Sequence, residues 1–179
     1  MKIVITGGPC SGKSSIISAL KNRGFRTVSE TAREVIADRH LDNSMTKEDA
    51  ISIQRDIILR QIEKEKIIDG SFETYFLDRG AIDIYGYYMH LAGSIPDDLK
   101  NIFLERYGMV FMLEPLKFIK DDIRREDDAE ALELHRRIMH EYRSRGYDII
   151  NVPVMDLNKR VKHILLMVED LKKKIRNKN

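Results

Sequence analysis

Eight residues near the N-terminus, Gly7-Gly8-Pro9-Cys10-Ser11-Gly12-Lys13-Ser14, match the pattern G-x-x-x-x-G-K-[ST]. Each fixed residue type has a mechanical task. Glycines let the backbone curl until successive N–H groups face inward at phosphate oxygens. A helix starting near Gly12 adds the positive end of its dipole. Lys13 is long enough to reach a β- and a γ-phosphate, and the Ser14 hydroxyl is a ligand for Mg²⁺. Ser15, the next residue along, completes the nucleotide-binding set. Cys10 lies inside the loop, where surrounding N–H groups and Lys13 favour a thiolate, although a small space-filling residue without chemistry is the better account of it. The ligand this loop calls for is ATP or a close relative, with Mg²⁺.

Further charged residues stand where short apolar runs end. Asp78 closes the run Thr74 to Asp78 and is placed to hold Mg²⁺ directly or through water. The plainer reading makes Asp78 the cap of the helical segment after Gly80. Arg79 follows it and is placed to clamp a substrate phosphate or to stabilise the phosphoryl group in transfer. Its plainer reading is a salt bridge to Glu30 or Asp78. Glu30 follows the run Arg26 to Ser29 and is the best candidate to accept a proton from a substrate hydroxyl. Arg33 shares its helical face at i+3, so the two form either a substrate-binding pair or a surface ion pair. Arg124 and Arg125 lie in a charged stretch, where they either close over the nucleotide or pair with Glu126, Asp127 and Asp128.

These residues need a scaffold that brings strand ends together. Strands are expected at Lys2 to Thr6, Arg26 to Ser29, Thr74 to Asp78, Met109 to Leu113 and Asp148 to Val152. Helical patterns separate them: Gly12 to Arg23, Thr31 to Arg39, Thr46 to Ile68, Ile82 to His90, Pro96 to Tyr107, Ala129 to Arg145, and a last helix capped by Asp156. Thr46-x-x-Asp49 is a capping pattern, and Ile53, Ile57, Ile58 and Ile62 recur at helical spacing. That face packs into the domain or forms a dimer seam. Strands alternating with helices imply a parallel α/β sheet covered on both faces. In such sheets ligands lie outside the carboxyl ends of the strands, which is where the loop, Glu30, Asp78, Glu114 and Pro153 all fall.

The bulk numbers narrow the setting. A chain of 179 residues fits one domain, read here as 1–179. A net charge of +2 gives little reason to expect a nucleic-acid partner, and the basic run Lys172, Lys173, Lys174, Arg176, Lys178 reads as a solvated helix end. One cysteine allows no internal disulfide. With no secretory signal or membrane-length apolar stretch apparent, the expected setting is cytoplasmic.

Taken in order, the motifs resemble the kinase-like branch of P-loop proteins, which includes thymidylate kinase, deoxynucleoside kinases and the nicotinamide riboside kinase domain. Within it they look most like a group of AAA-type ATPases with a T-G-G-P-x-S-G-K-[ST] loop, here Thr6 to Ser14. The later marks of that group are Glu30 to Arg33, Asp78 to Gly80, Tyr142 to Tyr147 and Val152-Pro153. The resemblance implies a three-layer fold with a five-stranded parallel sheet in the order 2-3-1-4-5. It also implies a small lid at about 117–128 carrying Arg124, with the adenine near Arg124 and Pro153. Thymidylate kinases have Asp-Arg-Tyr, and deoxynucleoside kinases Glu-Arg-Ser, where this chain has Asp78-Arg79-Gly80, so neither substrate carries over. The leading expectation is a Mg-ATP-dependent phosphotransferase acting on a small nucleoside, nucleotide or related metabolite. The catalytic set would be Lys13, Glu30, Asp78, Arg79 and Arg124. The competing expectations are an NTP-hydrolysing switch with a protein or nucleic-acid partner, and a nucleotide-binding protein without turnover. The switch reading lacks an Asn-Lys-x-Asp signature, and its Asp83-x-x-Gly86 look-alike falls in a helical stretch.

Overall fold

The computed structural model describes residues 1–39, 46–71, 73–100, 102, 106–116 and 125–177, with the side chains of 125–128 left out of that description. Five parallel strands form one sheet: β1 (Lys2–Thr6), β2 (Arg26–Val28), β3 (Tyr75–Asp78), β4 (Met109–Leu113) and β5 (Ile149–Val152). Their order is β2-β3-β1-β4-β5, as the resemblance implied. The register pairs Ile5 of β1 with Asp78 of β3 and with Phe111 of β4, so the loop after β1 opens beside the carboxylate that ends β3.

The helices are α1 (Lys13–Asn22), α2 (Thr31–Asp38), α3 (Lys47–Ile67), α4 (Ala81–Ala92), α5 (Asp97–Lys100), α6 (Arg125–Ser144) and α7 (Leu157–Arg176). Strand periodicity assigns the faces. Ile3, Ile5, Phe76 and Phe111 pack against Ile16 and Leu20 of α1 and against Val161, Ile164 and Val168 of α7. Val4, Leu77, Val110 and Met112 point the other way, onto Ile82 of α4 and Leu134, Ile138 and Tyr142 of α6. Every one of these strands is apolar on both faces because each face is covered. Ile53, Ile57, Ile58 and Ile62 of α3 are buried, and they pack on Val35 of α2 and on Ile84, Tyr85 and Tyr88 of α4. That face is therefore core within this chain.

Local chemistry sets several boundaries. Thr46 and Asp49 form the reciprocal capping box that starts α3. The Asp156 side chain accepts the Lys159 N–H at 2.9 Å and starts α7, a cap worth about 1 kcal/mol. Two expectations need correction. The stretch expected as helix from Pro96 to Tyr107 is helical only over Asp97–Lys100 among the described residues, and 106–107 are not helical. Helix α6 begins at Arg125, four residues earlier than expected, so 125–128 of the expected lid are helical. The rest of the expected lid, 117–124, lies outside the described residues and Arg124 with it.

Helices α4 and α6 meet at Gly86. A Cβ there would lie 2.8 Å from Ile138 Cγ1, 3.0 Å from its Cα and 3.1 Å from its N, so two of the three obstructing atoms are backbone. Gly86→Ala should therefore destabilise the fold by about 1–3 kcal/mol, measured by urea denaturation. A variant as stable as the parent would mean that the two helices can separate without loss.

Candidate active site at the carboxyl edge of the sheet

The loop between β1 and α1 is bent as its sequence requires. Gly7, Cys10 and Gly12 have φ of 142°, 55° and 87°. A side chain at Gly7 would strike the Leu113 carbonyl oxygen at 2.8 Å, so only glycine fits there. Cys10 takes its left-handed conformation without being glycine, and its side chain is exposed. Lys13 turns into the hollow. Its Nζ donates to the Gly8 carbonyl at 2.7 Å, the Gly7 carbonyl at 3.1 Å and Ser11 Oγ at 3.2 Å. Burial, followed by the charge of Arg79, lowers its pKa to about 8, against the pull of Asp83, Asp78 and Glu30. A polyphosphate in the hollow would give this ammonium its missing counter-charge.

Asp78 stands across from the loop. Its Oδ2 accepts the Ser14 hydroxyl at 3.2 Å, while its Oδ1 is buried without a hydrogen-bond partner. Burial and the neighbouring Glu30 charge raise its pKa, and Arg79, Lys13 and Ser14 act in the other direction. It is not the cap of α4, because Asp83 receives the Gly80 N–H at 3.0 Å instead. An unpartnered carboxylate oxygen next to a serine hydroxyl fits the inner part of a Mg²⁺ site. Among the described residues no cluster of three His, Cys, Asp or Glu side chains could hold a metal. A site completed by phosphate oxygens and water needs none.

Glu30 and Arg79 form the salt bridge that the plainer reading named, with Nε to Oε1 at 2.9 Å. Arg33 binds the other Glu30 oxygen at 2.7 Å but is itself exposed. Burial alone would raise the Glu30 pKa, but Arg79 and Arg33 outweigh it and hold the carboxyl below its ordinary value. Arg79 also reaches the Gly7 carbonyl at 3.4 Å, and it lies over the Tyr87 ring, 5.1 Å from the centroid. It links the loop to two hollows. One is the phosphate hollow, bordered by Pro9 to Ser15, Glu30, Arg33 and Arg79. The second opens between α2, α3 and α4, with apolar walls from Ala32, Ile36, Ile57 and Ile84 and a polar edge from Gln54 and Tyr87. Glu30 and Arg79 border both. Pro153 marks the far rim, where its carbonyl accepts Arg160 Nε at 3.0 Å.

Four residues were missed in the sequence. Arg160 of α7 is buried and donates to three carbonyls, those of Ser11 (2.6 Å), Pro153 (3.0 Å) and Glu114 (3.1 Å), tying the loop to the ends of β4 and β5. His135 of α6 accepts the Gly8 N–H at 3.1 Å. Gln61 and Glu65 of α3 brace the turn after β3: Gln61 Nε2 donates to the Arg79 carbonyl at 3.3 Å, and Glu65 Oε1 accepts the Ala81 N–H at 3.0 Å. That turn needs bracing, since Arg79 has φ of 73°. Polar residues spaced along apolar helix faces were the only trace these four left in the sequence, and nothing local said what they met. Asp83 of the switch look-alike lies inside α4, fully buried. It accepts from Tyr142 at 2.5 Å and from Thr6, so it is part of the core.

A family described as an AAA domain matches residues 2–160. The chain belongs to that family. No curated protein matched this AAA domain in sequence. Solved structures share its fold at low identity. Deoxyadenosine kinase from M. mycoides, with dCMP and dCDP bound, is 17% identical with a TM-score of 0.65, over 95% of this chain and 100% of that one. Thymidylate kinase from Ehrlichia chaffeensis is 12% identical with a TM-score of 0.61, over 94% and 98%. NadR protein in complex with NAD and AMP-PNP is 16% identical with a TM-score of 0.68, over 95% of this chain and 49% of NadR, so the chain spans about half of that protein. The AAA domain therefore has a kinase-like P-loop fold.

Glu65 provides a test of the bracing. It is buried, its Oε2 has no partner, and its Oε1 also accepts from Gln61 at 2.8 Å and from Tyr107 at 3.1 Å. Burial raises its pKa from 4.5 to about 7, against those hydrogen bonds and Lys2. The folded chain therefore holds this proton more tightly than the unfolded chain does. The resulting stabilisation is complete below pH 4.5 and is lost as pH rises toward 7, by on the order of 3 kcal/mol. Glu65→Gln should remove that slope from stability curves measured between pH 4.5 and 7.5. An unchanged slope would place the titrating group elsewhere.

Proposed function

We propose that this AAA domain is a Mg-ATP-dependent phosphotransferase acting on a small nucleoside, nucleotide or related metabolite. The observation that carries this reading is the shared wall. Glu30 and Arg79 border both the phosphate hollow and the mostly apolar hollow beside it. A triphosphate in the first and an acceptor in the second would meet at those two side chains.

The assignments follow from position. The loop amides and Lys13 hold the β- and γ-phosphates, with Pro9, Cys10, Ser11, Gly12 and Ser15 around them. Ser14 and Asp78 are the residues that would hold Mg²⁺, which when bound neutralises phosphate charge. Arg79 reaches the junction of the two hollows, and its charge offsets that of the phosphoryl group in transfer. Glu30 is the carboxylate nearest the acceptor side and is ionised across the neutral range, so it orients the acceptor hydroxyl and receives its proton. The new acceptor O–P bond forms as the bond from the γ-phosphorus to the bridging oxygen breaks, leaving ADP. Asp78 would then be reserved for the metal. Arg33 guards the mouth of the phosphate hollow. Arg124, carried over from the family resemblance, would cover the nucleotide from the segment before α6, with the adenine toward Pro153. Such catalysis is positioning and electrostatics and needs no covalent residue.

ADP release measured with ATP, with and without a panel of nucleosides, nucleotides and vitamins, tests the reading. Release stimulated by an acceptor, with the acceptor recovered phosphorylated, is the expected result. Release stimulated only by a protein or nucleic acid would favour the switch, and no release would leave binding without turnover. Lys13→Ala should abolish turnover. Full activity in that variant would overturn the site assignment. Glu30→Gln should lower kcat by on the order of 10²-fold or more while the Mg²⁺ requirement stays as it was; a raised Mg²⁺ requirement instead would exchange the roles of Glu30 and Asp78.

A further inference from the structure

Helix α6 touches the phosphate loop through a side chain that the transfer chemistry does not use. His135 is only 7% exposed, and its Nδ1 accepts the Gly8 N–H at 3.1 Å. An imidazole nitrogen accepts a hydrogen bond only while it carries no proton. The same peptide unit directs its carbonyl, that of Gly7, at Lys13 Nζ (3.1 Å) and at Arg79 (3.4 Å). The next carbonyl, that of Gly8, accepts Lys13 Nζ at 2.7 Å and Ser11 Oγ at 2.9 Å. The Gly7–Gly8 peptide plane is thus held on one edge by two cations and on the other by one imidazole. Contact between loop and helix is close: a Cβ on Gly8 would lie 3.0 Å from the Ala131 carbonyl and 3.1 Å from His135 Cβ, one helical turn apart.

We propose that neutral His135 is a positioning residue for nucleotide binding. It holds the Gly7–Gly8 peptide in the orientation that seats Lys13, and uptake of a proton by His135 releases that hold. The inference rests on reading this loop as the triphosphate site. Protonation would set an N–H against an N–H and add a further cation near Lys13 and Arg79. Burial and the Lys13 charge, from α1, keep the His135 pKa below its ordinary value, and Glu114 at the end of β4 acts the other way. The site is therefore intact at neutral pH and loosens in acid.

The experiment measures Mg-ATP affinity from pH 8.5 to pH 5.5 for the parent, His135→Asn and His135→Leu. Asn offers an acceptor oxygen close to the position of Nδ1 and does not titrate. The titration of the γ-phosphate is common to all three proteins and cancels in their ratios. His135→Asn should bind within about threefold of the parent at pH 8, and the parent should fall progressively behind it as pH drops, by at most about tenfold at pH 5.5 for a group whose pKa lies below the ordinary imidazole value. His135→Leu should bind about tenfold more weakly than the parent at pH 8. Parallel pH profiles for the parent and His135→Asn, or parent-like binding by His135→Leu at pH 8, would overturn the proposal. Thermal melts at each pH show which variants are folded. Should His135→Leu fail to fold, the parent and His135→Asn decide the matter between them. A parent that binds no ATP at pH 8 would instead refute the triphosphate site, and the inference with it.

Discussion

Curling a backbone so that its amides face inward turns its carbonyls outward, and in a buried loop those carbonyls must find donors. The loop after β1 meets that demand with three cations from three elements. Lys13 of α1 takes the carbonyls of Gly7 and Gly8, Arg79 after β3 shares that of Gly7, and Arg160 of α7 takes that of Ser11. Lys13 and Arg79 share the Gly7 carbonyl, and Ser11 Oγ also serves that of Gly8, whereas losing Arg160 would take from the Ser11 carbonyl the side chain that holds it. The rest of the site is arranged around these donors. Glu30 is held ionised by its pairing with Arg79, and burial, then the nearby Arg79 charge, lowers the Lys13 pKa.

Beneath the loop a second polar layer holds the turn after β3. Asp83 joins Thr6, the Gly80 amide and Tyr142. Glu65 joins Gln61, the Ala81 amide and Tyr107. Side chains from α3 and α4, together with Tyr107, thus fix three consecutive residues, Arg79 to Ala81, and Tyr142 of α6 holds Asp83 in place. Arg79 among them borders the phosphate hollow. A buried polar network is stabilising only when nearly all its members are satisfied, and around this turn the unpartnered atoms among the described residues are Glu65 Oε2 and Asp78 Oδ1. The first gives a carboxyl that titrates near neutrality; the second faces the place where a metal would sit.

Much of this was legible beforehand. Alternating strands and helices, a glycine-rich loop after β1 and an acid ending β3 dictate which residues share the carboxyl edge, because a parallel sheet sends every strand end to one side. The Glu30–Arg79 bridge was foreseen as one of two readings, and the pair turned out to form the wall common to both hollows. Helix limits were less legible. The charged stretch before Ala129 looked like loop because polarity without apolar spacing carries no periodic signal, whereas α6 already runs from Arg125. Tyr107, expected at the end of a helix, is not helical, and its hydroxyl meets Glu65 and the Ala81 amide, two partners that no local spacing announces.

By itself, the sequence determined the phosphate loop, the parallel sheet and the identity of the acids and arginines at the strand ends. Those follow from backbone freedom and from apolar periodicity, which act between near neighbours. Only the tertiary structure decided that His135, Arg160, Gln61 and Glu65 belong to the site. Each acts on a backbone group supplied by another element, with Arg160 149 positions from the carbonyl it holds and His135 127 from its amide. A hydrogen bond to a distant main-chain atom imposes no spacing rule on the residues around it, so nothing in the order of residues records it until the chain has closed.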